Sequence, residues 1–278
     1  VAERTVPGTD VALTIGGSDS SGGAGIQAGL KTFAVLGTYG ASVITAITAQ
    51  NTRGVTASEI LDSELVEQQI EAVAGDLSVA ATNVGMLGNA QVIKVVAASL
   101  RRQNLTPLVV DPVMVSKAGS PLLEDDAISV MAKELLPLAT VVTPNGHEAA
   151  KLVGESTPIT DLNGAQEAAR QICRRFKVPA CIVTGIHRKG DDEGEAVDVF
   201  FDGSEMLEVA SAWRPTENTH GAGCTFSAAI TAGLATGKEL PEAVQQAKSV
   251  ISEAIRQTTR LGNGDGPVNH IAYLDISG

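Results

Sequence analysis

Aromatic side chains are scarce in this chain: five Phe, two Tyr and one Trp among 278 residues. Basic residues are in deficit too, and the formal net charge is −12. With no basic stripe and no aromatic–basic interleaving, nucleic acid is excluded as the expected partner. Cysteine is equally sparse. Cys173, Cys181 and Cys224 are an odd number without a Cys-x-x-Cys spacing, which argues against a disulfide framework or a zinc site and fits a reducing compartment. No apolar run approaches the length of a membrane span. The opening VAERTVPGT lacks the apolar core of a signal peptide and reads as a loose tail, so a soluble cytoplasmic protein is expected, with no membrane partner. A Walker A loop is also missing. The single Gly-Lys pair, Gly237–Lys238, is followed by Glu239, so any nucleotide is held by other means. An acidic chain is not barred from phosphate, because backbone amides and a metal bind it without Lys or Arg.

What the chain has in quantity is Ala, Val, Ile and Gly, and 44% of it is hydrophobic. Strand-like runs are expected at residues 11–17, 41–50, 82–87, 107–113, 139–145 and 180–185, with a hairpin over AVDVFFDG and EMLEVAS. Helical spacing is expected at 24–37, 63–76, 89–103 (with Asn89 as N-cap), 124–136, 146–153, 161–177, 222–236 and 240–260. Strands alternating with amphipathic helices predict βαβ units and a mainly parallel sheet. There is no linker and no repeat, so the expectation is a flexible tail over 1–10 and one domain over 11–278. In such sheets the ligand crevice lies beyond the carboxyl ends of the strands.

Several polar segments fall there. In GGSDSSGGAG, Gly23-x-Gly25-x-x-Ala28 loosely matches a dinucleotide fingerprint. The fingerprint wants an acid at the end of the second strand to hold ribose, and Gln50 and Asn51 stand there instead. A turn or a small-substrate loop remains open for this segment. VVDPVM ends a strand on Asp111, which either starts a turn before Pro112 or anchors Mg²⁺ through water. TPNGHE places Asn145 and Glu148 at the spacing of a capping box, and Glu148 is also a candidate near Mg²⁺ and phosphate. THGAGC brings two glycines to a helix start. Backbone amides can converge there with the helix's positive end to form an anion hole; the alternative is an ordinary loop with a free cysteine.

Together and in this order, ALTIGGSDSSGGAGIQAGLKTF, GASVITAITAQNTRGV, VGMLG, VVDPVM, TPNGHEA, NTHGAGCTFSAAI and GPVNH closely resemble the hydroxymethylpyrimidine/phosphomethylpyrimidine kinases, the thiamine-pathway branch of the ribokinase superfamily. The resemblance implies a three-layer α/β/α sandwich with a mainly parallel sheet, ATP and Mg²⁺ as cofactors, and a homodimer. It implies two successive acceptors, 4-amino-5-hydroxymethyl-2-methylpyrimidine and its monophosphate. Gln50 matches the residue that hydrogen-bonds the aminopyrimidine, and Gly17 and Met86 match the ring pocket. Asp111, Asn145 and Glu148 match the magnesium–phosphate region, and Lys248 matches a position near the nucleotide. Gly221, Ala222, Gly223 and Cys224 match the anion hole and the residue facing the acceptor oxygen. The chain departs from the family pattern at Gly29, Gly146 and Thr184. The Gly29 change is expected to remove a carboxylate from the substrate side, and Thr184 to remove a cation.

Pyridoxal, another hydroxymethyl heteroaromatic, is the alternative acceptor. A pyrimidine-binding module without turnover and a nicotinamide enzyme are the alternatives of other classes. Cys224 stands where an aspartate would be ionised at neutral pH. At a helix start it is read as a thiol or a thiolate, and a neutral or weakly ionised side chain suits an alcohol and a phosphate acceptor alike.

Overall fold

A computed structural model describes residues 9–114, 123, 125–190, 194–258 and 260–275. The expected tail over 1–10 therefore lies, apart from Thr9 and Asp10, outside the described residues. Strand β1 (Val11–Asp19) leads into helix α1 (Gly25–Val35), and β2 (Tyr39–Asn51) turns back on itself as β3 (Gly54–Ile60). Next come α2 (Ser63–Ala74), β4 (Val79–Val84), α3 (Ala90–Gln103), β5 (Leu108–Val110), α4 (Asp125–Val130) and β6 (Val141–Val142). The remainder is α5 (Gly146–Val153), α6 (Leu162–Phe176), β7 (Ala180–Arg188), β8 (Glu195–Phe201), β9 (Met206–Ala212), α7 (Ala222–Ala235), α8 (Leu240–Arg256) and a 3₁₀ turn, His270–Asp275.

The helix starts are written locally. Asp62, Asn89, Asn145 and Asp161 each accept a first-turn backbone N–H at the N-cap of α2, α3, α5 and α6, as short polar side chains do best there. The sheet is built by alternation. Leu108 and Val110 of β5 join one core with residues of α3 and α6, while Val109 between them packs with Phe226, Ala229 and Val250 of α7 and α8. Period-two burial on both sides is what a strand sandwiched between two helical layers requires. The few aromatics are consistent with this packing: Ala12 and Ala81 of the sheet meet Ala228 and Ala232 of α7 around Phe33.

Nine strands lie in the order β3-β2-β1-β4-β5-β6-β7-β8-β9. The run from β2 to β7 is parallel, and β3, β8 and β9 are antiparallel additions at the two edges. The chain leaves β1 toward β2 and returns on its other side as β4, so the strand order reverses at β1. That reversal opens a crevice at the carboxyl ends.

Some boundaries differ from the expectation. The strand expected at 82–87 is β4, Val79–Val84, which frees Gly85–Gly88 as a loop at the crevice. The helix expected at 124–136 is α4, followed by a π turn over Met131–Leu135 and a 3₁₀ turn, Leu136–Leu138, that contains Pro137; residue 124 lies outside the described residues. The last helix ends at Arg256 rather than near 260. Strand β3 was not anticipated. Its side chains are almost all exposed, so it has no apolar alternation to read, and its pairing with β2 defines it.

Candidate active site

A cleft of about 510 Å³ opens where β1, β2, β4, β5 and β6 end, and the start of α7 closes one side. Of the residues singled out in the sequence, Gly17, Gln50, Met86, Asp111, Asn145, Glu148, Gly221, Ala222, Gly223 and Cys224 all line it. Lys248 does not. The departures at Gly29, Gly146 and Thr184 also lie off the cleft wall. Gly29 is buried in α1 against Thr14, so the change there is in helix–strand packing rather than in the lining. Thr184 donates its backbone N–H to Pro144 O at 2.9 Å.

One end of the cleft is shaped for a flat ring. Met86 lies over Gly17 so closely that a Cβ there would sit 2.8 Å from the methionine Cε. Thr45 Oγ1 donates to Met86 O at 2.7 Å and holds that loop down. An adaptable thioether over a bare backbone makes an apolar slot. Gln50 comes from the end of β2. Its backbone N–H donates to Ser20 Oγ at 2.8 Å, and that hydroxyl donates back to Gln50 O at 2.8 Å, pinning the β1–α1 loop to the strand end.

Across the cleft, Asp111 and Glu148 are both buried, at 5% and 4% exposure. The capping box is complete. Asn145 Oδ1 accepts from the N–H of His147 and Glu148, and Glu148 Oε2 accepts from Asn145 N at 3.0 Å. Burial, and then the charge of Glu148, push Asp111 well above the usual carboxylate range. Burial lifts Glu148 to about 7 against the pull of its backbone hydrogen bonds. Two carboxyls that oppose each other's ionisation form a site a divalent cation relieves. Among the described residues no cluster of three or more His, Cys, Asp or Glu side chains forms a closed metal site, so water and phosphate oxygens would complete the coordination. Glu148→Gln keeps an oxygen for the capping box and removes the charge. Steady-state kinetics should show a fall in kcat/KM of roughly 100-fold, of the order seen when one charge-stabilising group is lost, with the melting temperature unchanged or higher.

The third wall is the start of α7. Gly221 sits at its N-cap with φ +78°, and no side chain caps the helix. Ala222 N–H donates to Thr219 O at 3.1 Å. Gly223 and Cys224 occupy first-turn positions, whose amides have no intrahelical acceptor and serve an anion best. Burial, and then the fields of Asp111, Glu148 and Asp19, push the Cys224 thiol up to about 12 against a backbone hydrogen bond from Gly25. The side chain is therefore a neutral thiol at neutral pH, despite its place at a helix start.

Among the ionisable side chains lining the cleft, two escaped the sequence reading. Asp19, at the end of β1, accepts from Ser21 N and Oγ at 2.8 Å, from Gly23 N at 3.1 Å and from Ala24 N at 2.9 Å. Its Oδ2 also lies 2.8 Å from His220 Nε2. The strand was expected to stop at Gly17, which left Asp19 in an unstructured loop, and His220 was read only as part of the glycine turn. The Asp-Ser-Ser-Gly run at 19–22 was the available signal, since Asp caps such turns. Burial alone would raise Asp19, but the bonds from His220, Ser21 and Ala24 outweigh it and hold the carboxyl well below its ordinary 3.8. A depressed folded-state pKa stabilises the fold above the unfolded value and loses that contribution as pH falls. Asp19→Asn should therefore lower the melting temperature at pH 7, by on the order of 1–3 kcal/mol of stability. The gap to the parent protein should narrow as pH drops below 3.8; thermal melts across pH 2.5–7 measure it.

Lys248 donates from Nζ to Asp198 Oδ2 at 2.9 Å, both side chains being buried. Asp198 Oδ1 in turn accepts Gly185 N at 2.8 Å. The lysine thus braces the irregular stretch of β7 between Val183 and Ile186.

Comparison with known proteins bears on the family and the fold. A protein of Rhizobium meliloti (strain 1021) named hydroxymethylpyrimidine/phosphomethylpyrimidine kinase is 50% identical over 264 residues, covering 94% of this chain and 97% of that one. The crystal structure of phosphomethylpyrimidine kinase from Clostridium difficile 630 superposes with a TM-score of 0.75 at 42% identity, over 88% of this chain and 99% of that one. Pyridoxal kinase from Staphylococcus aureus, solved with AMP-PCP and pyridoxal, gives a TM-score of 0.85 at 36% identity, over 96% and 95% of the two chains. These likenesses bear out the expected three-layer sandwich. The phosphomethylpyrimidine kinase family matches residues 19–269, a span that includes Gln50, Met86, Asp111, Glu148 and the start of α7, and the chain belongs to that family.

Proposed function

We propose that this chain transfers the γ-phosphoryl group of ATP to the hydroxymethyl oxygen of 4-amino-5-hydroxymethyl-2-methylpyrimidine, and then to the resulting monophosphate. The observation that carries this reading is the meeting, in one cleft, of the Gly17–Met86 slot and Gln50 with the Asp111–Glu148 pair and the open amides of α7. Gln50 offers a donor and an acceptor on one edge, which fits the amine and adjacent ring nitrogen of an aminopyrimidine. The amides of Gly223 and Cys224, with the helix's positive end, stabilise charge on the transferring oxygens. Asp111 and Glu148 would hold Mg²⁺ through water, and the ion would supply positive charge to offset that of the phosphates. Phosphoryl transfer through a loose transition state is mostly positioning, so the neutral Cys224 thiol need not act as a base.

Pyridoxal is the second reading, favoured by the likeness to pyridoxal kinase. A coupled ATP-consumption assay with the hydroxymethylpyrimidine, its monophosphate and pyridoxal side by side decides between them. Turnover of both pyrimidines is expected, and turnover of pyridoxal alone would overturn the assignment.

A homodimer is part of the same proposal. Ile47, Val55 and Ile60 of the β2–β3 hairpin and Leu65 beside it are exposed at one edge of the sheet, as an unpartnered apolar surface is in an isolated protomer. Light scattering should give twice the 28.5 kDa chain mass. Three free cysteines support a reducing, cytoplasmic setting, and among the described residues no helix is long and apolar enough to cross a membrane.

A further inference from the structure

The Gln50 carboxamide reaches two neighbours inside the cleft. Its Oε1 lies 3.0 Å from Thr48 Oγ1 and its Nε2 lies 3.3 Å from His220 Nε2. A carboxamide exchanges its oxygen and nitrogen by a half-turn, and the surrounding network decides which orientation holds.

Here His220 decides it. Its Nε2 is 2.8 Å from Asp19 Oδ2, and the two side chains are 12% and 4% exposed. Asp19 already gathers donors from Ser21, Gly23 and Ala24, the surroundings of an ionised carboxylate. His220 Nε2 therefore carries a proton and donates it to Asp19, whether or not the ring is charged. The ring is also clamped, since a Cβ on Gly23 would come 2.5 Å from its Cδ2. With its one N–H turned to Asp19, Nε2 has no lone pair to accept from the amide nitrogen of Gln50, whereas the amide oxygen can share that N–H. Thr48 Oγ1 has Ser18 O, also at 3.0 Å, as a second acceptor for its proton, and donating there leaves a lone pair for the amide nitrogen. Both neighbours therefore favour the half-turned carboxamide, oxygen toward His220 and nitrogen toward Thr48, over the orientation with Oε1 on Thr48.

We propose that His220, seated on Asp19, is a specificity-determining residue that locks the Gln50 carboxamide so that it reads a 4-aminopyrimidine and rejects the 4-oxopyrimidine of the same shape. This rests on the reading that Gln50 contacts the pyrimidine. A 4-aminopyrimidine presents a donor on the exocyclic group and an acceptor on the ring; the 4-oxo compound presents the reverse. A free carboxamide would turn over and bind either. A locked one leaves the wrong ring with two opposed pairs, and sites built to hydrogen-bond reject such mismatches strongly.

The test measures kcat/KM for 4-amino-5-hydroxymethyl-2-methylpyrimidine and its 4-oxo counterpart. The parent enzyme should prefer the amino compound. His220→Ala and His220→Phe, the second keeping the ring's bulk without an N–H, should each lower the amino-to-oxo ratio about 10-fold or more, the worth of roughly one hydrogen bond. His220→Gln, which returns an N–H donor, should restore much of it. A defect in folding or in the neighbouring anion hole lowers both substrates together and leaves the ratio unchanged; that result from a folded Ala or Phe variant overturns the proposal. Gln50→Leu separates the two layers. If it leaves KM for the amino compound unchanged, the pyrimidine-contact reading fails. If it raises that KM while the His220 variants keep the parent ratio, the lock alone fails.

Discussion

Cys224→Asp should leave phosphorylation of the alcohol within about 10-fold of the parent enzyme and cut phosphorylation of the monophosphate by roughly 100-fold or more. The reason is charge. The cysteine thiol is held neutral, pushed up to about 12 by burial and by Asp111, Glu148 and Asp19 around it. The same surroundings would raise an aspartate too, but it starts about 5 pKa units below a thiol, so it would still bring negative charge into this acidic neighbourhood at and above neutral pH. A unit charge repels an acceptor phosphate charge about 5 Å away by about 3 kcal/mol at an effective dielectric near 20. The alcohol carries no charge and loses its proton late in a loose transition state, so it gains little from a base. The phosphate acceptor is already largely ionised and needs none. The two kcat/KM values, measured on one preparation, decide the matter; equal losses would sink the idea. Cys224→Ser, also neutral, should keep both activities within about 10-fold.

Gly221→Ala is expected to abolish turnover, by about 1,000-fold or more, and to destabilise the protein as well. The left-handed backbone, φ +78°, costs an alanine about 1 kcal/mol. The decisive obstacle is contact with backbone. A Cβ on Gly221 would lie 1.8 Å from Gly23 O and 3.2 Å from Ala24 Cα, and neither can rotate away. The β1–α1 loop and the start of α7 would have to part, and with them the bond between Asp19 and His220 and the aim of the anion-hole amides. Gly223→Ala is the control. Its Cβ would meet only Asp111 Oδ2, at 3.5 Å, and the position is helical, so the fold should survive. Thermal melting and kcat for the two variants separate a lost loop contact from a crowded catalytic wall.

Much of this site is legible in the chain. The capping box at Asn145 and Glu148, the glycine turn before α7 and the strand-end position of Asp111 are local patterns, fixed by spacing within a few residues. The alternation of strands and helices predicts where such segments gather, because parallel strands all present their carboxyl ends to one side. The edge strand β3 was hidden for the opposite reason: what makes it a strand is its ladder to β2, and its exposed side chains carry no pattern. The neutrality of Cys224 was hidden too. A helix start by itself lowers a thiol's pKa, and only burial beside three acids from other elements reverses the sign.

Composition and pattern by themselves determined the class of fold, the absence of a P-loop and the carboxyl-end location of the cleft, since each follows from short-range periodicity and spacing. Which residues act together was decided by tertiary structure. Asp19 and His220 stand 201 positions apart and meet at 2.8 Å. Lys248 is drawn into a buried pair with Asp198, 50 positions away, rather than into the cleft wall. Long-range pairing of charges depends on which loops the sheet order brings side by side, and that order is set by packing of the whole domain.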